Sequence, residues 1–473
     1  MIETNYQGTN KMIMGIVFGV LTFWLFAQTM VNVVPVVQSD LGISLGVLNV
    51  AISLTALFSG IFVVAAGGLA DKVGRKKMTY IGLSLSIVGS LCLIFTQDAG
   101  FLIIGRIIQG ISAACIMPST IALIKSYYEG ENRQRALSYW SFGSWGGSGI
   151  CSFAGGSIAT YMGWRWIFIF SIIFALLAMI LIKDTPESRA EKTSSTKFDI
   201  AGLLVFVMVM LALNLVITRG DDFGWTSPIT LSLIAILVIG FFVFFKIVGN
   251  KSDGFIELTL FKNKYYTGAT LSNFLLNAVA GTLVVANTYV QVGRGFNAFQ
   301  SGMLSLGYLV CVLAMIRVGE KILQRVGARK PMIIGCALAA IGVGMMSLTF
   351  LSGTIYTFVV FVGFTLLGIG LGMYATPSID TAVSNAPVEK IGEASGIYKM
   401  ASSLGGSFGV AISATVYGTI ENLEVAAAAG LTTNVIFAVL ALLSILFIIP
   451  RGKMSETKPS ISKGLPDQKL ILK

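Results

Sequence analysis

The chain has 473 residues, 55% of them hydrophobic and 12% charged, and its mean hydropathy is +0.83. That composition excludes a soluble globular domain, which could not cover so much apolar surface. The formal net charge of +11 points to contact with anionic lipid and to cations sorted to one side of a membrane, not to nucleic acid, for which no binding module is visible.

Apolar runs of about 20 residues predict membrane helices, and fourteen of them follow one another. The first, 12–34, comes after a short polar start without a small-x-small cleavage site and reads as a retained helix. It carries Gln28 and Asn32, an i,i+4 pair on one helix face. Runs 46–70 and 79–96 are joined by Gly67-Gly-Leu-Ala-Asp71-Lys-Val-Gly74-Arg75-Lys-Lys77, a tight turn with four cations in six residues. Its glycines permit close approach and a sharp reversal. Asp71 sits at the lip of an apolar helix, a costly place unless a cation or a helix N-terminus meets it. The cations alone also fit any inner loop.

Run 101–124 holds Arg106 within Leu102-Ile-Ile-Gly-Arg-Ile-Ile-Gln-Gly110. A charge inside a span is a functional hypothesis by default, with snorkelling near the outer end as the alternative. Run 136–160 carries Gly143, Gly146, Gly147, Gly149, Gly155 and Gly156, at spacings that suit close helix packing. Its Trp140 and Trp145 could stack a planar molecule, whereas Trp164 and Trp166, opening run 164–183, fit an interfacial belt. Polar linkers 184–199 and 250–266 bound runs 200–218 and 228–249.

Run 267–291 offers Asn273, Asn277, Asn287 and Gln291, suited either to a watery cavity or to hydrogen bonds between helices. Runs 300–318, 331–351, 355–376, 392–416 and 431–450 follow, then a polar, basic tail, 451–473, expected to be disordered. Lys399, within 392–416, either titrates because burial lowers a lysine pKa, or snorkels to an inner end about 10 Å away. Asp71, Glu320, Asp380 and Glu393 all fall at inner ends, and histidine is absent, so a conventional proton relay is hard to draw. The cysteines, Cys92, Cys115, Cys151, Cys311 and Cys336, lack C-x-x-C spacing and read as packing residues; no metal or cofactor is expected.

With the N-terminus inside, only Arg165, Arg219 and Arg294 face outward; Arg106 and Lys399 fall within spans, and every other Lys or Arg lands on the cytoplasmic side. An even number of spans returns the C-terminus there too. The chain also repeats itself. A shift of 259 carries Leu137-Ser-Tyr-Trp-Ser-Phe-Gly-Ser-Trp-Gly-Gly-Ser148 loosely onto Gly396-Ile-Tyr-Lys-Met-Ala-Ser-Ser-Leu-Gly-Gly-Ser407, and Pro118-Ser119 onto Pro377-Ser378. A shift of 253 carries Val73-Gly74 onto Val326-Gly327. Spans 1–6 and 9–14 therefore read as two copies of a six-helix unit. The expected division is a first bundle, 1–183, a linker with two inserted spans, 184–266, a second bundle, 267–450, and the tail.

The order G-x-x-A-D-K-x-G-R-[KR] at residues 67–76 resembles the signature loop of the major facilitator superfamily. Phe23-Trp-Leu-Phe-Ala-Gln28, Ser138-Tyr-Trp-Ser-Phe-Gly-Ser-Trp-Gly-Gly-Ser148 and Ala375-Thr-Pro-Ser378 are more specific. They resemble the fourteen-span drug:proton antiporter branch and, within it, the staphylococcal quinolone-resistance pumps. The likeness covers essentially the whole membrane region. It implies an all-α fold of two six-helix bundles plus two inserted spans. It gives Arg106 and Gln109-Gly110 a part in proton coupling or in orienting the cavity, and Asp71 with Arg75 a part in latching the inner ends. Departures are present: the Gly-Pro pair of the antiporter motif reads Cys151-Ser152, the span-1 aspartate is replaced by Ala27-Gln28, and acids of span 13 by Lys399 and Ser403.

The resulting expectation is a multi-pass cell-membrane protein of a Gram-positive bacterium, a monomer that exports amphipathic drugs such as fluoroquinolones and quaternary ammonium compounds in exchange for protons. Gln28, Asn32, Trp140, Trp145, Asn273, Asn277 and Lys399 are the candidate substrate contacts. Asp71, Arg75, Arg106, Gly146, Gly147, Gly155 and Gly156 are the candidates for coupling and conformational change. No enzyme motif is visible. A dedicated exporter of one metabolite and a non-transporting sensor are the alternatives.

Overall fold

The computed structural model describes residues 6–190, 199–249 and 258–451. The tail, but for Arg451, and residues 191–198 and 250–257 of the polar linkers lie outside the described residues. Each of the fourteen apolar runs is helical. In chain order the helices are α1 (Asn10–Asn32), α2 (Val34–Leu41), α3 (Leu45–Val73), α4 (Arg75–Ile94), α5 (Ala99–Tyr127), α6 (Gly130–Ser141), α7 (Gly147–Tyr161) and α8 (Arg165–Ile182). The inserted pair is α9 (Ile200–Phe223) and α10 (Pro228–Gly249). Then come α11 (Lys264–Ala278), α12 (Gly281–Val292), α13 (Ala298–Val326), α14 (Arg329–Met346), α15 (Gly353–Ser384), α16 (Ile391–Gly418) and α17 (Leu423–Ile448).

Local chemistry sets the ends. Thr9 and Asp98 accept from the backbone N–H groups of Met12 and Phe101, and Asn297 with Gln300 forms a reciprocal capping box. Gly74, at φ +126°, takes the reversal between α3 and α4 in a conformation that a side chain disfavours. Glu187, beyond α8, then accepts from the Lys76 and Lys77 N–H groups, both at 2.9 Å, placing an anion on the start of α4.

Two spans are interrupted. α6 and α7 are joined by one turn of π-helix at Phe142–Gly146, and the ninth run breaks at Val279–Ala280 between α11 and α12. Among the described residues, ten helices are long and apolar enough to cross a bilayer outright. The runs of α1, α6–α7, α9 and α16 are not among them, and the α6–α7 span and α16 share two features. Both are rich in Gly and Ser, and both lie where the two bundles meet.

The repeat is visible in the packing. In the first bundle α5 packs most extensively on α3 and α4, and in the second α15 does so on α13 and α14. Pro118 and Pro377 lie inside the two central helices. The inserted helices differ from each other. α9 lies along α3 and α16, one from each bundle, burying Phe206 and Met210, whereas α10 packs chiefly on α9 and turns Phe241 and Phe242 outward.

Candidate functional site

At the end that carries Lys72, Arg75, Lys76 and Lys77, here termed the basic end, the bundles are joined. Asp71 and Arg75 are both buried. The Asp71 carboxylate accepts from Arg75 Nε at 3.0 Å and Nη2 at 2.8 Å, and from the backbone N–H groups of Gly392 and Glu393, both at 3.0 Å. The last two open α16, so an acid from one bundle caps a helix of the other, where the unpaired N–H groups and the helix dipole favour negative charge. Arg75 also donates to the Val388 carbonyl at 2.7 Å and to Ser126 Oγ at 2.8 Å. The helices touch through their backbones: a β-carbon at Gly67 would collide with the Gly392 carbonyl oxygen, and one at Gly392 with that of Gly67.

Two further contacts cross the same seam. Lys125 Nζ, in the last turn of α5, donates to the carbonyls of Val383 and Ser384 at 2.8 and 2.9 Å, placing a cation on the C-terminus of α15. Arg133 Nε meets Asp380 Oδ1 at 3.0 Å, and Gln134 Nε2 reaches Asp380 Oδ2 at 3.3 Å. An apolar cluster continues through this region from Leu54, Phe58 and Phe62 of α3 to Met400 and Leu404 of α16.

Away from the basic end the bundles keep separate cores. Phe26, Met30, Leu48, Leu93, Leu102 and Trp164 belong to a cluster drawn only from the first bundle. The core of the second bundle takes in Trp145 alone from the first. Each far end is closed by its own arginine. Arg165 Nη1 bonds Asp40 at 2.6 Å, Trp164 Nε1 donates to the same carboxylate at 3.1 Å, and these donors hold the Asp40 carboxyl below its ordinary range. Arg294 bonds the carbonyls of Thr349 and Leu351 and lies 5.0 Å from the Tyr356 ring centre.

The candidate residues are dispersed by this arrangement. Lys399 is half-buried, about 12 Å along α16 from its start, and makes no hydrogen bond or ion pair with a described residue. Trp145, in the π turn, is half-buried and packs against the second bundle. Beside it Gly146 admits the Leu313 side chain of α13, which a β-carbon there would strike. Gly147 packs under Trp24 and Gly155 under Thr29, both on α1. Trp140, expected to stack a planar substrate, is instead 3% exposed in the apolar cluster that runs across the seam and donates to Thr120 Oγ1 at 3.1 Å.

Asn273 is buried, and its amide donates to the Tyr398 carbonyl at 3.0 Å. Asn277 donates to Asn273 Oδ1 at 2.9 Å and accepts from Ser402 at 3.0 Å, so this pair ties α11 to α16. Arg106 does not snorkel. It is fully buried, and Nη1 donates to the Phe26 carbonyl at 2.6 Å and to Gln109 Oε1 at 3.0 Å. The side chains of Gln28 and Asn32, and Gly156, lie outside what the structure describes. Sequence reasoning missed Lys125 and Arg133, whose partners are more than 240 residues away.

Two helical bundles closed against each other at one end and separately packed at the other are the architecture of an alternating-access membrane transporter. The chain belongs to the Major Facilitator Superfamily, whose family model matches residues 16–410. It is 54% identical, over 94% of its length and 97% of theirs, to the Quinolone resistance protein NorB of Staphylococcus aureus strains MRSA252 and COL. Among solved structures, a double-Trp mutant of XylE superimposes with a TM-score of 0.68 at 18% identity, covering 94% of this chain and 96% of that one. The human organic anion transporter MFSD10 gives 0.63 at 14%, covering 92% and 98%. The protein is a multi-pass membrane transporter.

Proposed function

We propose that this protein is a multidrug efflux pump that exports amphipathic drugs, fluoroquinolones and quaternary ammonium compounds among them, in exchange for protons. The near full-length likeness to quinolone resistance proteins supports the substrate class. The observation that carries the mechanism is the seam at the basic end, where Asp71 and Lys125 of one bundle meet opposite helix ends of the other. Such contacts can be made and released without disturbing either bundle's core, as rocking about a midplane site requires.

On this reading the basic end and both termini are cytoplasmic, by the bias of Lys and Arg, and the closed seam makes this an outward-facing state. The moving bodies are 1–183 and 267–450, carried as a monomer, with 184–266 between them and 451–473 as a cytoplasmic tail. Outward-turned apolar side chains such as Phe242 and Phe358 meet lipid. Lys399, Trp145 and Asn277, with Gln28 and Asn32, are the proposed contacts for drug; Arg106 orients the cavity wall through α1.

The test is efflux of a fluoroquinolone and of a quaternary ammonium dye from cells lacking other pumps, with and without an uncoupler. Efflux that collapses with the gradient supports the proposal. Binding without flux would instead make the protein a sensor, and flux of neither drug class would leave it an exporter of another solute.

A further inference from the structure

We propose that Glu320 of α13 carries the coupling proton, an inference that rests on the proton-exchange reading above. Glu320 is 2% exposed and lies two turns before the end of its helix. It is ion-paired with Arg317, one turn earlier, and accepts from Gln324 Nε2 at 3.3 Å. Arg317 Nη1 also donates to Ser138 Oγ at 3.4 Å, and its guanidinium lies 4.9 Å from the Tyr139 ring centre. Ser138 and Tyr139 belong to α6, in the other bundle. The charge on Glu320 thus decides whether the cation that spans α13 and α6 has a counter-charge.

The other buried acids of the seam are held differently. Asp71 takes two backbone N–H groups besides Arg75, Asp380 takes Arg133, Gln134 and Ser384, and Glu393, in the first turn of α16, pairs with Lys390 at 3.5 Å and has a further partner. Among the described residues Glu320 has one cationic partner, Arg317, whose side chain is 37% exposed. The helices packed on α13 carry charges of both signs. α6 presents Arg133, already paired with Asp380, and Arg135, which faces Tyr139 from another side. α14 opens with Arg329, bonded to the carbonyls of Ile449 and Leu446, and Lys330. α15 contributes Asp380, α12 contributes Tyr289 toward its far end, and α13 itself adds Lys321 and Arg325.

A proton from the outer aqueous phase converts the Glu320 carboxylate to a carboxylic acid. Arg317 then loses its counter-charge, turns away through its exposed side, releases Ser138 and Tyr139, and the seam opens. The same proton leaves Glu320 to the cytoplasm, and the carboxylate re-pairs with Arg317 as drug is carried outward.

The experiment uses the full-length protein in liposomes, following a fluorescent quaternary ammonium dye and internal pH together. Glu320→Gln should lose dye uptake driven by a pH gradient at least tenfold, with dye-induced proton release abolished, while Glu320→Asp retains both. Gradient-driven exchange by Glu320→Gln overturns the assignment, as does a folded Glu320→Gln protein that has lost transport yet still releases protons when dye binds, which would mark a structural residue. Should Glu320→Gln not assemble, Arg317→Gln should shift the pH of half-maximal dye-induced proton release, and an unchanged profile overturns the assignment equally. A wild-type protein that moves dye without protons overturns the exchange reading and this inference with it, an outcome distinct from a coupled wild type beside a coupled Glu320→Gln.

Discussion

Lys125 and Ser384 are equivalent residues of the two repeats, and they touch each other: the Lys125 ammonium donates to the Ser384 carbonyl at 2.9 Å across 259 residues. The shift that carries Pro118 onto Pro377 carries one onto the other. Equivalent points that meet must lie near the axis relating the copies, so this contact sits near that axis at the basic ends of the two bundles.

Lys125→Met should therefore loosen the seam without harming either bundle. A cation at a partly buried helix C-terminus is worth about 1 kcal/mol, roughly a fivefold shift between closed and open populations. Modification of an introduced cysteine at Ser126, timed against wild type carrying the same cysteine, reads that shift. Equal rates would show that the contact is incidental.

Asp71→Asn should cost more. It leaves a neutral group facing two N–H donors and strips the buried Arg75 of its counter-charge, a break of the kind that typically costs about 3–5 kcal/mol. Transport should fall at least tenfold with expression and membrane insertion nearly intact. A well-expressed Asp71→Asn protein that pumps at the wild-type rate would sink the latch.

Removing α9 and α10 and bridging the gap with a polar linker should leave the bundles able to pair. α9 buries Phe206 and Met210 against α3 and α16, but in a bilayer acyl chains can cover the vacated apolar face at little cost. Cross-linking between the bundles tests this. Halves that insert and cannot be cross-linked would make α9 part of the core.

Lys399→Gln should change which drugs are carried. A half-buried cation without a partner among the described residues attracts a carboxylate and repels a permanent cation where screening is poor. The variant should lose carboxylate-bearing quinolones and keep or gain monocationic dyes at equal expression. Equal loss of both would assign Lys399 to coupling or structure, and no change in either would make it a bystander.

The fourteen spans were legible because each carries its own apolar run, and the latch acid because Asp71 stands out among cations. Side-chain direction was not. Trp140 and Trp145 look like one aromatic pair in the sequence, yet the π turn that begins after Trp140 changes the helical phase. One ring is left on Thr120 and the other on the second bundle. Asn273 likewise reads as a cavity residue by type, but a buried amide takes the nearest carbonyl, here Tyr398. The pairing of Arg133 with Asp380 depends on how the bundles meet, which no local pattern encodes.

Transport requires the seam to open and close, and a distance across it tests this most directly. Lys77 and Glu389 are exposed on opposite sides of the seam. Spin labels at these positions, in a background free of the five native cysteines, would report the separation by pulsed electron resonance. The account predicts a short-distance population that gives way to a longer one when protons are supplied, and sooner in Asp71→Asn. A single distance, unchanged by pH or by Asp71→Asn in protein that still transports, would contradict it.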